Sequence, residues 1–272
     1  MTERSAPVAD PHASHERFFD YYAAASQSKE TAERFESIRD VALRLYRTAN
    51  PAAPAVLDVA DVGCGAGAQS IIWSRLGHRV HGVDINEPLL NLGRERAGRE
   101  GLTIDFRVGT ATALPWETGS MDICLVPELL EHVAEWRPCV TEVARVLRRG
   151  GLLFLSTTNR LCPKQQEFSL PFYSWYPGRL KRYCERLAVT THPQFVNYAK
   201  YPAVNWFSFY QLRDELKGLG FHSMDRFDVI DTSKRTPILK GLVSCVRQFP
   251  LLRWLGHVAT PSLLLFAVKS GR

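Results

Sequence analysis

The feature that most constrains the fold is a glycine-rich turn between an apolar run and a helical pattern. Residues 61–67 read Asp-Val-Gly-Cys-Gly-Ala-Gly, at the end of the apolar run 56–62 and before an amphipathic stretch from Ala68. Alternate glycines permit a tight turn and close approach of a ligand to the backbone, and the following helix would point its amino terminus at that ligand. This order predicts a parallel βαβ unit with a ligand site at the turn.

The same alternation of short apolar runs and helical patterns continues to residue 157. It favours a doubly wound α/β fold with a mostly parallel sheet. Farther on, the sequence predicts a helix at 209–219, a strand at 221–230 and a last edge strand at 263–268. The other predicted strands are 56–62, 79–84, 103–108, 122–127 and 152–157, and the helices between them are 68–76, 88–99 and 138–147.

Three segments of different pattern suggest a domain organisation. Residues 17–47 are helical in pattern and are followed by Pro51 and Pro54, which predicts a helical amino-terminal lid within 1–50 and a ligand-binding core at 51–158. Residues 168–210 contain 13 aromatic residues and four prolines, unlike any βαβ unit. We expect residues 159–272 to supply an aromatic-rich cap that binds the acceptor, the completing strands and a basic amphipathic carboxyl-terminal segment.

The composition excludes several classes of protein. The chain has 272 residues, 45% hydrophobic and 23% charged, which is typical of a globular protein. Its longest strongly apolar run, 263–268, is far shorter than the roughly 20 residues of a membrane span. The polar, acid-containing residues 1–13 do not resemble a secretory signal, and the six cysteines form no CxxC pair. We therefore expect a cytoplasmic protein without a disulfide framework.

Charge is distributed unevenly along the chain. Residues 1–159 carry 17 basic and 21 acidic residues, whereas residues 160–272 carry 17 basic and 7 acidic ones. Within 234–258 there are five cations and no acid, and large apolar residues follow one helical stripe up to Pro250. Such a segment either packs on the domain or makes peripheral contact with an anionic membrane. Nucleic acid is not expected, because the cations lie among large aliphatic residues without a recognition motif.

The glycine turn alone leaves two ligand classes open. Gly63-x-Gly65-x-x-Ala68 also fits the dinucleotide fingerprint, with Asp84 at the distance expected for a ribose contact. The ordered set of motifs over 56–158, however, resembles class I S-adenosylmethionine-dependent methyltransferases, which have a Rossmann-like doubly wound sheet. The motifs are Asp61, the GxGxG turn, Asp84, Gly109-Thr-Ala-Thr-Ala-Leu-Pro115, Asp122-Ile-Cys-Leu-Val and Leu147-Arg-Arg-Gly-Gly151.

This resemblance implies S-adenosylmethionine as the cofactor. Asp61 would hold its amino-acid end, Asp84 its ribose hydroxyls beside Ile85, and Thr110 with Ala111 its adenine. The family commonly carries Asp where this chain has Thr110, whose hydroxyl still accepts a hydrogen bond but with less charge assistance. The turn residues that would contact the amino-acid end are Gly63, Cys64, Gly65 and Gly67.

A narrower resemblance concerns the acceptor. Residues 127–133 (Pro-Glu-Leu-Leu-Glu-His-Val), 154–160 and 191–195 resemble the demethylubiquinol O-methyltransferases. This implies methylation of a hydroxyl on a phenol-, catechol- or quinol-like or lipid-linked small molecule, with Arg39 at the cofactor carboxylate and Pro127 at its sulfonium end. The tail after Asp231 does not match that family. Two alternatives stay open: methylation of a sugar hydroxyl on a glycolipid or polysaccharide intermediate, and a non-catalytic protein that binds S-adenosylmethionine or associates with membranes.

Glu128, Glu131 and His132 lie at i, i+3 and i+4 after the fourth predicted strand, so a helix there would present them on one face. In the resembling family these positions are associated with a divalent cation such as Mg²⁺, which would acidify an acceptor hydroxyl. Alternatively, His132 is a general base without a metal, or the three residues are structural. All three interpretations remain open on the sequence.

The aromatic cap has two interpretations as well. A second hydrophobic core accounts for some of its rings, whereas a flat or lipid-like acceptor would need a slot that excludes water from the transferred methyl group. We predict such a slot from five residues: Phe172, Tyr173, Trp175, Trp206 and Phe207.

Overall fold

The computed structural model describes residues 28–164, 167–196, 203–233 and 235–270. Its strands are β1 (Asp58–Val62), β2 (Arg79–Asp84), β3 (Asp105–Val108), β4 (Met121–Pro127), β5 (Leu147–Thr158), β6 (Phe221–Asp225) and β7 (Ser262–Lys269). They form one sheet in the order β3-β2-β1-β4-β5-β7-β6. β1 to β5 pair in parallel, and β7 is antiparallel to both its neighbours. The predicted α/β fold with a doubly wound, mostly parallel sheet is confirmed.

The described α-helices alternate with the strands over the first half of the chain and cluster near its end. They are α1 (Lys29–Ala49), α2 (Ala68–Ser74), α3 (Glu87–Arg99), α4 (Trp136–Val146), α5 (Gly178–Thr190), α6 (Phe209–Gly218), α7 (Arg226–Val229), α8 (Pro237–Gln248) and α9 (Pro250–Val258). None of the helices in the described ranges is long and apolar enough to cross a membrane.

Two apolar layers cover the faces of the sheet. One layer contains α4 and α6, whose apolar residues pack with Ala60, Val62 and Leu155. The other contains α1, which buries Ile38, Ala42 and Tyr46 with strand residues of β1, β4 and β5. Because β1 and β4 have helices on both faces, their residues are buried without alternation.

α1 is fastened to the sheet by a polar network as well as by apolar packing. The Tyr46 hydroxyl donates to Asp122 Oδ1 at 2.8 Å, and Arg148 forms ion pairs with Asp122 and Asp58 at 2.6 and 2.9 Å. Arg79 adds a second cation to Asp58 and holds the pKa of this carboxyl at about 2. The network ties α1 to the amino ends of β1, β4 and β5. The part of the predicted lid before residue 28 lies outside the described residues.

Two predictions about the end of the chain are wrong. The apolar run 263–268 was predicted as an edge strand, but β7 lies between β5 and β6, and β6 is the edge. The run lacks alternation because both faces of this inner strand are covered. The predicted strand 221–230 ends at Asp225, whose side chain accepts hydrogen bonds from the amides of Phe227 and Asp228 and so starts α7.

Candidate functional site

The glycine turn between β1 and α2 is the tight turn that its sequence predicts. Gly63, Gly65 and Gly67 have positive φ angles of 74°, 50° and 74°, a region that favours glycine. A Cβ on Gly67 would approach the Phe106 ring to 2.7 Å. The amides of Gly63 and Cys64 donate to the carbonyl of Val83 at 2.8 and 3.1 Å, which joins the turn to β2.

Asp61 lies beneath this turn and is 1% exposed. Its Oδ2 accepts a hydrogen bond from the Ser70 hydroxyl at 2.7 Å, whereas its Oδ1 has no partner among the described residues. Burial raises the pKa of Asp61 to about 6. A buried carboxylate oxygen without a donor is costly, and a ligand that brings a cationic donor would remove that cost.

Asp84 ends β2 and connects the two loops at this edge of the sheet. Its Oδ2 accepts from the amide of Gly65 and its Oδ1 from the amide of Asn86, both at 2.8 Å. Its carbonyl accepts from the amide of Gly109 after β3. The carboxylate therefore fixes the glycine turn to the end of β2.

Two exposed apolar side chains lie on either side of Asp84. Ile85 follows Asp84 in the sequence. Val108 ends β3 and is the residue paired with Asp84 in the register of β2 and β3. Exposed aliphatic groups at the carboxyl ends of neighbouring strands offer a flat apolar contact, such as an adenine ring requires. The sequence analysis missed Val108, because an apolar residue at the end of a short strand cannot be distinguished from a buried one.

Thr110 and Ala111 follow on the next loop. The Thr110 and Thr112 hydroxyls lie 2.9 Å apart, so Thr110 already has a hydrogen-bond partner within its own loop. Ala111 is buried in the layer that contains α4. Both residues lie at the same edge of the sheet as Asp84.

The segment after β4 is a series of turns, and the helix predicted to carry Glu128, Glu131 and His132 is absent from these described residues. α4 begins only at Trp136. Glu128 has a φ of 50°, rare for a residue with a side chain, and its Oε1 accepts from Arg34 of α1 at 2.7 Å. Arg34 was not predicted as a site residue, since it lies 94 residues earlier in the chain.

Glu131 points into the protein. It is 1% exposed and accepts a hydrogen bond from the Thr157 hydroxyl of β5 at 2.7 Å. Burial raises its pKa to about 8, so the carboxyl is largely protonated at neutral pH. Its backbone carbonyl accepts from the amides of Val204 and Asn205 at 2.8 and 3.1 Å, which attaches the cap to this turn.

His132 is partly exposed, and its Nε2 lies 4.0 Å from Oε2 of Glu167. Burial, together with the nearby charge of Glu128, raises the pKa of Glu167 to about 7. The sequence analysis missed Glu167, which the fold brings from the cap to the turn after β4. An imidazole beside a carboxylate is an arrangement that can accept and stabilise a proton.

The residues predicted to bind a divalent cation do not fit one. Glu128 pairs with Arg34, Glu131 with Thr157, and His132 faces Glu167, so the three side chains do not converge. Over the described ranges, no three His, Cys, Asp or Glu side chains are grouped so that they could hold a metal ion. The physical reason is the missing helix, whose spacing would have aligned the three residues.

The five predicted slot residues divide into a buried and an exposed group. Tyr173 and Trp206 pack with Phe168 in a separate cap cluster, and Phe207 is buried against Trp136 with ring centroids 5.2 Å apart. Tyr173 and Trp206 therefore stabilise the cap, and Phe207 belongs to the layer that contains α4. Phe172 and Trp175 are 61% and 56% exposed, and their rings stack at 6.2 Å. Phe172 also has a left-handed φ of 56°.

The remaining residues differ in their relation to the glycine turn. Pro127 ends β4 at the carboxyl edge of the sheet. Arg39 is paired with its neighbour Asp40 at 2.8 Å, and no described contact joins it to the glycine turn. Gln69, in the first turn of α2, is buried with both amide atoms lacking a hydrogen-bond partner among the described residues. The sequence analysis did not single out Gln69.

Comparison with known proteins finds similarity in the central part of the chain. Residues 60–155 match a family described as a methyltransferase domain. A ubiquinone biosynthesis O-methyltransferase of Sinorhizobium fredii is 39% identical over 104 residues, which are 38% of this chain and 42% of that protein. This alignment thus spans about two fifths of the relative's length.

Solved structures extend the likeness over most of the fold. The YcgJ protein from Bacillus subtilis has a TM-score of 0.54 at 18% identity, over 86% of this chain and 100% of that one. Phosphoethanolamine N-methyltransferase 2 of Haemonchus contortus, in complex with phosphomonomethylethanolamine and S-adenosylhomocysteine, has a TM-score of 0.52 at 16% identity, over 85% and 52% of the two chains. The resemblance to S-adenosylmethionine-dependent methyltransferases is confirmed for residues 60–155.

Proposed function

Because residues 60–155 match a methyltransferase domain, we propose that this chain transfers a methyl group from S-adenosylmethionine to a hydroxyl of a hydrophobic acceptor. The acceptor class is an aromatic or lipid-linked small molecule. The observation that carries the proposal is the buried, unpartnered Oδ1 of Asp61 below a turn of three left-handed glycines.

The residues at the carboxyl edge of the sheet fit the cofactor. Asp61 Oδ1 would accept from its α-amino group, which supplies the cationic donor that the buried carboxylate lacks. Asp84 would accept from the ribose hydroxyls, since it ends β2 beside the glycine turn and a carboxylate accepts several hydrogen bonds at once. Ile85 and Val108 offer aliphatic surface to the adenine. Gln69 would find in the bound ligand or its water the partner that it otherwise lacks.

Once bound, S-adenosylmethionine supplies an activated methyl group on its sulfonium. The chain's own task is to orient the acceptor hydroxyl, exclude water and take up the hydroxyl proton. His132 suits the last role because its imidazole is accessible and Glu167 lies beside Nε2 to stabilise the protonated ring. Glu131 acts as a positioning residue, since its protonated carboxyl is buried and its backbone joins the cap to the turn.

Two exposed rings favour an apolar acceptor over a charged one. Phe172 and Trp175 are exposed, whereas Phe168, Tyr173 and Phe207 are buried. The strained backbone of Phe172 matches that of Glu128 on the turn after β4. Non-glycine residues with left-handed φ tend to lie at functional sites, because the strain must be offset by the surrounding structure.

The proposal predicts a specific pattern of ligand binding. Isothermal titration of the full chain should show binding of S-adenosylhomocysteine and S-adenosylmethionine, whereas NAD and NADP should give no heat of binding. The reason is the unpartnered Asp61 carboxylate oxygen, which matches an amino-acid ammonium and would repel a pyrophosphate. Binding of NAD without a response to S-adenosylhomocysteine would overturn the proposal.

The raised pKa of Asp61 predicts a pH dependence of that affinity. The folded protein without ligand protonates Asp61 below about pH 6. Only the ionised carboxylate attracts the ligand ammonium, so affinity should be constant above that pH and fall by about tenfold per unit below it. The measurement is titration with S-adenosylhomocysteine between about pH 5 and 8.

Asp61→Asn is the matched control for the pH dependence. It keeps the shape and removes the titration, so its affinity should be weaker at pH 7 and nearly independent of pH. If wild-type affinity does not change across pH 6, or if Asp61→Asn retains the same slope, another group controls the binding.

A further inference from the structure

The helical hairpin α8–α9 presents a large apolar surface to solvent. Ile238 is 86% exposed and Leu251 is 68% exposed, and within the two helices only Val243 and His257 are buried. Exposed apolar residues scattered singly are normal, but a contiguous set on neighbouring helices marks an interaction surface. We call this set the tail surface: Ile238, Leu239, Leu242, Phe249, Leu251, Leu252, Trp254 and Leu255.

The hairpin is held to the fold by its polar side, which fixes the tail surface outward. Arg253 forms ion pairs with Asp225 and Asp228, and His257 Nε2 lies 2.9 Å from Oδ2 of the fully buried Asp225. Arg247 donates to three backbone carbonyls at residues 227, 228 and 230. An amphipathic helix normally turns its apolar stripe to the core. Here Arg253 and His257 face the fold, and the apolar residues of the tail surface have no covering element among the described residues.

Charge identifies the occupant of this surface. No acid occurs between residues 232 and 258, and Arg235 and Lys240 are exposed beside the apolar residues. The preceding acids are already paired, Asp225 and Asp228 with Arg253, and Asp231 with Arg44. Residues 160–272 carry ten more cations than acids, which would repel a second copy of the same surface.

The residue types agree with a lipid surface. Trp254 and Phe249 belong to the side chains that favour the boundary between headgroups and acyl chains, and exposed cations attract anionic headgroups. We propose that the tail surface lies in the plane of an anionic lipid membrane, with α8 and α9 parallel to it. This surface lies outside residues 60–155, the matched methyltransferase domain.

Docking there would place the membrane on the side of the fold where the parallel strands end, which is also the side of the candidate site. The Asn159 amide, directly after β5, donates to the carbonyls of His257 and Thr260 at 2.8 and 2.7 Å. The end of α9 is thereby fixed to the carboxyl edge of the sheet, where the glycine turn and His132 lie. That this arrangement delivers a lipophilic acceptor rests on the proposed function, whereas the docking itself does not.

Vesicle co-sedimentation tests the docking. The full chain should bind vesicles of equal parts phosphatidylcholine and phosphatidylglycerol and bind phosphatidylcholine alone weakly, with less binding at high salt. The double variant Leu251→Gln/Trp254→Gln should lower the partition coefficient at least about tenfold, because two large apolar groups lose their favourable transfer. Leu76→Gln, a change at an exposed leucine between α2 and β2, should bind like wild type.

Three results would overturn the proposal: equal binding to neutral and anionic vesicles, unchanged binding of the double variant, or conversion of a dimer to a monomer by that variant in sedimentation velocity. The last would make the surface an interface between copies. Melting curves and S-adenosylhomocysteine titration of each variant separate this outcome from a failure of the proposed function. Both should match wild type, since the tail surface lies outside the cofactor site.

Discussion

His132→Ala is expected to lower the rate of methyl transfer about 100- to 10,000-fold while leaving the affinity for S-adenosylhomocysteine unchanged. The range is the usual contribution of a positioned general base. His132 is partly exposed at the turn after β4, and Glu167 lies 4.0 Å from its Nε2. The measurement is single-turnover transfer of labelled methyl from S-adenosylmethionine to an alkyl phenol or alkyl catechol, whichever supports the wild-type reaction.

His222→Ala is the matched control for loss of an imidazole, because His222 lies on the edge strand β6 and is exposed. It should keep the wild-type rate. A folded His132→Ala protein with full activity would remove the imidazole from the mechanism. Comparison of melting curves separates lost chemistry from lost stability.

Glu131→Gln distinguishes a buried positioning residue from a metal ligand. At neutral pH Glu131 is largely protonated, since burial raises its pKa to about 8, and glutamine mimics a protonated carboxyl. The rate of methyl transfer by the Glu131→Gln protein should therefore stay within a few-fold of wild type. A chelator should change the rate of neither protein. Loss of activity in Glu131→Gln that follows loss of a bound divalent cation would contradict this assignment.

The parts of the site that sequence could predict are those whose requirements are local. Gly63, Gly65 and Gly67 had to be glycines because the turn needs left-handed backbone and leaves no room for a Cβ at Gly67. Asp84 was identifiable because an acid at the end of the second strand faces the same edge as the turn. Both the glycine turn and the position of Asp84 could be predicted because they depend on residues close together in the sequence or at the ends of neighbouring strands.

The parts that sequence could not predict depend on contacts between distant segments. The spacing of Glu128, Glu131 and His132 suggested a helix, but Arg34, Thr157 and Glu167 each draw one of them in a different direction. These partners belong to α1, β5 and the cap. The tail surface shows the same limit, since a helical stripe alone does not reveal that Asp225 attracts the polar side of α9.

Asp84→Ala is expected to raise the dissociation constant for S-adenosylhomocysteine about 100-fold or more. A hydrogen bond to a charged group contributes about 1.5–3 kcal/mol, and Asp84 would accept from two ribose hydroxyls. The variant also loses the bonds from the amides of Gly65 and Asn86, both 2.8 Å, which hold the glycine turn to β2. The measurement is isothermal titration at pH 7.5, beside thermal melting.

Two further variants locate the origin of that loss. Asp84→Asn keeps one acceptor oxygen and should weaken binding by only about tenfold, because the amide NH₂ cannot accept and the charge is gone. Asp105→Ala removes a carboxylate from the opposite end of the adjacent strand, where it pairs with His81, and should leave affinity unchanged. If Asp84→Ala binds S-adenosylhomocysteine as tightly as wild type, Asp84 does not contact the ribose. Asp84 and Asp105 lie at opposite ends of the β2–β3 pairing, so one ligand group cannot contact both carboxylates. If Asp105→Ala weakens binding as much as Asp84→Ala does, the loss of affinity arises from the general loss of negative charge near the sheet.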